Sequence, residues 1–340
     1  LVMLKRILPL LVLLPGVAMG QQTNYLSVLD QPSSARAAGL GMDYLALWDD
    51  DPWTAFDNPS FISERSRNRL LFNYESMFAG AHFGSAAYGM HFNRLGDFLF
   101  GLKFNSYGIF DGYDETENAT GHFFAADYVF SIGWGRHIDS CFSIGAALKP
   151  AVSQYAHYSA FAIALDVAGS YTSPSRRFSA TLVGRNIGAQ LATFDGTVEH
   201  LPFELSAALS YKLENAPFRL FFAATELQRW NLRYPDPLNP VSTYDPYTDQ
   251  WSEEGFIHKA ADLTFRHAVF GVELSIRNLF FARVGYNYRK SVENHGTLNI
   301  NTSGFSYGFG LRMKKFEFSF ARNNYYLGKA PNYLSVALRL

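Results

Sequence analysis

The chain has 340 residues, 48% hydrophobic and 16% aromatic, with a formal charge of -1. That balance gives no reason to expect nucleic acid as a partner, and a single cysteine, Cys141, excludes an internal disulfide framework. A mean hydropathy of -0.07 does not fit a bundle of membrane helices. It leaves room for a membrane barrel, whose strands turn every second side chain to a polar interior.

The first predicted element is an export signal. Lys5 and Arg6 are followed by the apolar run Ile7 to Val17 and then by Ala18-Met19-Gly20, the order of a basic region, an apolar region and a small-residue cleavage site. Residues 1–20 are therefore expected to be removed before Gln21. An apolar run of about 11 residues is too short to span hydrocarbon. Past it no stretch resembles a transmembrane helix, and an exported chain that crosses a bilayer without helices is restricted to a closed barrel.

Residues 21–66 lack sustained alternation and read as a plug of short helical turns in the periplasmic mouth of the barrel. Ser33-Ser34 precedes Ala35 to Ala38 and Gly39, a short helix ended by glycine. Asp51-Pro52 starts a second helix, with Trp53 and Phe56 three apart on one face, and Asn58-Pro59 ends it.

Residues 67–340 alternate apolar and polar side chains with the period of two that a strand requires. Phe98, Phe100, Leu102 and Phe104 interleave with Leu99, Gly101, Lys103 and Asn105; Phe305, Tyr307, Phe309 and Leu311 interleave with Ser306, Gly308, Gly310 and Arg312. Fourteen strands are predicted: 68–77, 80–92, 97–107, 122–136, 140–154, 158–172, 177–188, 202–213, 217–228, 262–276, 279–289, 302–313, 315–322 and 331–340. Connections after even-numbered strands are short and most of those after odd-numbered strands are long, as in outer-membrane barrels with periplasmic turns and outer loops. The connections after strands one and five are exceptions. Thirty-one Phe and twenty Tyr suit aromatic belts at two lipid–water boundaries. Lys103, Arg185, Glu273, Arg283, Arg312 and Glu317 fall on the polar phase, too many charges for a soluble core. The fold class is thus all-β, a fourteen-stranded antiparallel transmembrane barrel with a small N-terminal helical plug. The interior charges admit a conducting path or a salt-bridged lumen around the plug, and the second is favoured.

The plug reads QPSSARAAGLG at 31–41 and LWDDDPWTAFDNPSF at 47–61. An S-A-R-x-A…G segment followed by acidic residues and an Asn-Pro-Ser turn (Asp49, Asp50, Asp51, Asn58, Pro59) resembles the PorV/PorQ group of the FadL-like outer-membrane barrels. LVGRNIGAQLATFDGTVEHLPFELSAALSYKLENAPFRL at 182–220, ELQRW at 226–230 and HAVFGVELSIRNLFFARVGYNYR at 267–289 are similar to PorQ-like members in particular. One departure is Leu340, where such barrels often end on an aromatic residue. The resemblance implies a place in type IX secretion in a Gram-negative, Bacteroidetes-like outer membrane. There a PorQ-like barrel is a platform in the cell-surface attachment complex with PorU-like, PorV-like and PorZ-like proteins, while PorU carries the chemistry of joining cargo to lipopolysaccharide. Alternatives of the same fold are a FadL-like transporter of hydrophobic small molecules and a PorV-like cargo shuttle.

The residues themselves offer no enzyme motif: G-x-S-x-G, H-E-x-x-H, the P-loop and C-x-x-C are all missing. No catalytic residue, cofactor or metal ligand is assigned. Asp49, Asp50 and Asp51 suit a helix cap better than a cation site. Cys141 reads as a small buried residue. The segment from Arg229 to Ala261 is the expected partner-binding loop, because Trp230, Tyr234, Tyr244, Tyr247, Trp251 and Phe256 are interface anchors and Pro235, Pro237, Pro240 and Pro246 limit the entropy lost on ordering. It suits a lid over the barrel mouth equally well.

Overall fold

The computed structural model describes residues 26–41, 46, 47, 49, 51–77, 80–113, 116–233, 243–245, 250–252, 255–294, 302–324 and 330–340. The expected export signal at 1–20, Asp50, Tyr234 and Tyr247 lie outside these residues.

Fourteen strands close into one antiparallel barrel in simple sequence order, and the last strand pairs with the first. They are β1 (Arg69–Ser76), β2 (His82–Phe92), β3 (Gly96–Tyr113), β4 (Ala119–His137), β5 (Phe142–Tyr155), β6 (Tyr158–Thr172), β7 (Phe178–Ala192), β8 (Glu204–Lys212), β9 (Phe218–Ala224), β12 (Ala268–Ile276), β13 (Phe280–Asn287), β14 (Phe305–Arg312), β15 (Phe316–Asn323) and β16 (Asn332–Arg339). Between β9 and β12 two three-residue strands, β10 (Thr243–Asp245) and β11 (Gln250–Ser252), form a separate hairpin, followed by helix α3 (Phe256–Phe265); α4 (Tyr288–Glu293) follows β13. The plug holds α1 (Ala35–Gly39), α2 (Trp53–Asp57) and 3-10 turns at Ser27–Leu29, Pro59–Phe61 and Glu64–Ser66.

Burial is inverted relative to a soluble protein. Phe130, Ile132, Leu182, Phe270, Val284 and Phe309 are all exposed on the outer face. Lys103, Asp127, Asp166, Arg185, Glu273 and Arg283 are all buried on the inner one. Only a wall with lipid outside and polar groups inside makes this arrangement favourable.

Each predicted strand is present, and the differences fall at the ends. β3 and β4 run through most of the expected loop 108–121. Past the bulge at Ser106/Gly108 burial no longer alternates, and Ile109, Phe110, Phe123 and Phe124 are exposed, so this part is a ribbon projecting beyond the wall. Residues expected at the start of the tenth strand are instead the helix α3, because 256–265 carries its apolar residues at helical spacing. The short connection after strand five is Ala156-His157, with Ala156 at φ 53°. It needs no long loop because β5 and β6 pair up to Tyr155↔Tyr158. Cys141 corrects an expectation: it is half-buried, in the turn ahead of β5.

Strand length divides the barrel. β3 to β7 have 18, 19, 14, 15 and 15 residues. β8, β9, β12, β13, β14, β15, β16 and β1 have only 7 to 9. The six connections at one end are tight turns, so the extra length of the tall wall lies at the other end. An eight-residue strand is about 26 Å long and, tilted by about 40°, rises about 20 Å, most of an apolar band about 25 Å tall; nineteen residues reach about 60 Å along the strand.

Candidate functional site: the filled lumen

The plug runs through the lumen rather than stopping at its mouth. α1 begins where the Ser34 hydroxyl accepts from Ala37 N–H, and all five of its residues are buried. Its one charge, Arg36, sits at the centre of a network. Nε and Nη2 donate to both oxygens of Glu273 on β12, at 2.9 and 2.6 Å. Nη1 donates to Asp51 Oδ2 at 2.9 Å and lies 2.8 Å from Asp49 Oδ2. Glu273 also accepts from Arg283 Nε at 2.7 Å. The guanidinium groups of Arg312, Arg283 and Arg36 lie 4.8, 5.4 and 5.9 Å from the Phe281 ring centre, a favourable placement of cation over aromatic face.

The acidic run of the plug therefore has two tasks. Asp51 Oδ1 accepts from Trp53 N–H at 3.0 Å, one residue ahead of the N-cap position expected for it, while its other oxygen compensates Arg36. Pro52 stands as the N-cap residue of α2. Among the described residues no cluster of metal-binding side chains occurs. Asn58 ends α2, and its Oδ1 accepts from Ser60 N–H as Pro59 opens the next 3-10 turn. Asn58 Nδ2 donates to Thr181 of β7 at 3.0 Å, and Ser60 Oγ meets Ser170 Oγ of β6 at 2.5 Å. Asp57 accepts from Ser33 Oγ at 2.5 Å and from Lys103 Nζ at 3.3 Å.

The R-N-I-G segment has a physical reason. Asn186 adopts φ 56° beside the irregular pairing of β6 and β7 at Leu165/Val167. Its N–H donates to Asp166 Oδ1 at 2.9 Å, and its Nδ2 donates to Asp30 Oδ1 at 3.2 Å and Pro202 O at 3.0 Å. Asn tolerates the left-handed conformation better than most residues, and here its amide also ties wall to plug.

Glycines in the wall let plug backbone touch it. A methyl group on Gly285 would stand 2.1 Å from the carbonyl carbon of Leu40, one on Gly145 2.2 Å from that of Pro59, and one on Gly101 2.1 Å from the Phe56 ring. Higher up, Leu26, Val28 and Leu29 fill an apolar cluster with Phe83, Val129, Ala151 and Ala162. Of the charges assigned to the lumen, Glu273–Arg283, Arg312–Glu317 and Arg185–Glu204 are directly opposite cross-strand pairs, each ion-paired.

Above the low wall lies a folded cap. Asp262 of α3 accepts from Arg233 at 2.6 Å, Arg266 at 2.9 Å and Tyr288 at 3.0 Å. Burial works to raise its pKa, but Arg266, Tyr288 and Arg233 outweigh that and hold the carboxyl below its ordinary 3.8. Arg289 pairs with Glu226 at 3.1 Å. Of the expected partner-binding residues, Trp230 is 60% and Phe256 84% exposed, and Trp230 stacks on His267. Tyr244 and Trp251 are register partners in the β10–β11 hairpin. Sequence reasoning missed Arg36. The available signal was one cation within the small-residue run Ser33 to Gly39.

No family model matches the sequence, and no curated protein matches it. Solved structures do. The Ralstonia pickettii toluene transporter TbuX superposes with a TM-score of 0.50 at 10% identity, over 93% of this chain and 100% of that one. A Pseudomonas aeruginosa FadL homologue gives 0.47 at 12% identity (91% and 98% covered), and the Pseudomonas putida toluene transporter TodX 0.47 at 10% (93% and 98%). The likeness to TbuX, at 10% identity, is one of fold alone: this chain shares that protein's closed antiparallel barrel.

Proposed function

We propose that this protein is a non-enzymatic, non-conducting outer-membrane scaffold of type IX secretion, a platform that holds PorU-like, PorV-like and PorZ-like partners at the cell surface. The filled lumen carries the scaffold part of this reading: a plug bound by ion pairs to β3 and β12 and pressed onto wall glycines is built to stay. The resemblance of 182–230 and 267–289 to PorQ-like barrels supports the secretion system in particular. The cap over the low wall, with Trp230 and Phe256 exposed, offers the contact surface.

Planar-bilayer recordings of the purified protein are expected to show no large stable openings; sustained openings overturn the closed scaffold. Affinity purification in mild detergent is expected to co-elute large surface proteins, a PorZ-like one among them. Deleting 234–256 is expected to leave the barrel inserted and release the partner, and retention would count against that loop. The second reading, a conduit for hydrophobic small molecules, is favoured by the apolar cluster around Leu26, Val28 and Leu29. Bound lipid or hydrocarbon without any protein partner would select it.

A further inference from the structure

We propose that the short-turn end of the barrel holds a binding site for the phosphate of an anionic phospholipid in the adjoining membrane leaflet. A cleft of about 280 Å³ opens there between the β14–β15 turn, the start of β1 and the end of β16. Arg69, Arg312, Lys314, Lys315 and Arg339 line it, against one carboxylate, Glu317. That carboxylate is already taken, since Arg312 Nε and Nη2 donate to its two oxygens at 2.8 and 3.0 Å. Among the described residues no carboxylate lies within ion-pair reach of Lys314, Lys315 or Arg339, and all three are exposed. The cleft thus has cationic charge to spare for an anion.

Its surroundings favour an anion with a tail. Met313 lines the cleft and is 49% exposed. Phe280, Phe309 and Tyr307 continue an exposed apolar surface along β13 and β14. A headgroup phosphate can sit among the lysines while its acyl chain lies along that wall, and basic side chains at a membrane boundary attract anionic lipid in this way.

The rest of the rim argues for lipid over an acidic protein. Every other tight turn at this end also carries an exposed cation: Arg94, Arg136, Arg176, Lys212 and Arg277. All but Arg176 are close in sequence to an exposed apolar side chain: Leu95, Ile138, Tyr211 or Ile276. A docked protein meets one sector, whereas a band around the whole circumference meets what surrounds the whole barrel. The inference holds for a scaffold and a conduit alike.

The test is native mass spectrometry of the full barrel in detergent, titrated separately with phosphatidylglycerol, phosphatidylcholine and glycerol phosphate. Retention of phosphatidylglycerol alone is expected. The variant Lys314→Gln/Lys315→Gln/Arg339→Gln should bind it at least about tenfold more weakly, while Arg94→Gln/Arg176→Gln should keep the tightest-bound lipid. Heat-modifiable migration reports folding of each variant, and Lys314→Gln/Lys315→Gln serves if the triple variant does not fold. Equal retention of phosphatidylcholine, an unaffected triple variant, or equal loss in both variants overturns the site. Competition by glycerol phosphate at equal concentration would make it a site for free phosphate and overturn the lipid assignment.

Discussion

The tall wall, β3 to β7, and the low wall, β8 to β1, hold the same plug by different means. On the tall side the contacts are mostly neutral or single pairs: Asn58 on Thr181, Ser60 on Ser170, Asp57 with Lys103, and Pro59 against Gly145. On the low side they form a charged network, with Arg36 shared among Glu273, Asp49 and Asp51. The outer ends differ too. Long strands carry their own hairpins, down to a two-residue turn between β5 and β6, whereas short strands end at the membrane boundary and need the helical cap around Asp262. A wall that stops at the lipid has to be finished by folded loops, and those loops supply the exposed aromatic surface.

The sharpest way to break the comparison is Arg36→Ala. It leaves Asp51 buried and Asp49 half-buried without that cation, and Glu273 with one of two, so the denaturant midpoint of the purified barrel should fall by the equivalent of about 3–5 kcal/mol. A loss no larger than that of Asn58→Ala would show that the two walls grip alike. Next, Phe222→Arg on the lipid face of the low wall should cost about 2–4 kcal/mol, and Ile109→Arg on the projecting ribbon about 0–1. Equal costs in refolding titrations into vesicles would mean that the tall wall does not rise out of the bilayer. Gly145→Ala and Gly285→Ala both overpack the plug contact, by about 1–3 kcal/mol. Single-channel recording is expected to show brief openings in these variants only.

The smallest effect concerns the cap. Asp262 is held below its ordinary 3.8, so its stabilisation is fully present above that pH and is lost as pH falls through the lower folded value. Protection of 255–267 from a protease should be unchanged between pH 7 and 5 and should decrease only below about 3.8. Loss already at pH 5 would assign the hold to other groups.

The strands were legible because their inner and outer faces demand opposite chemistry, so alternation persists wherever lipid meets the wall. It stops informing where the wall leaves the membrane. The ribbon after Gly108 has both faces in solvent, and its mixed sequence looked like a loop. α3 was hidden for a related reason: Leu263 and Phe265 stand two apart, as in a strand, although they fall on the opposite phase to the outward Phe270 and Val272 of β12. Charges expected in the lumen are there, and one of their pairings was available from the hairpin itself, since Arg312 and Glu317 flank a tight turn. Arg36 with Glu273 was not, because 237 residues separate them and only barrel closure brings them together.

The plug also reaches the place where the ring closes. It precedes β1, and the seam that seals the ring, β1 against β16, joins the first and last strands. At that seam Ser335 of β16 accepts from the α1 residue Ala35 at 2.7 Å and donates to Asn73 of β1 at 2.7 Å. One hydroxyl thus stitches stopper, opening strand and closing strand together.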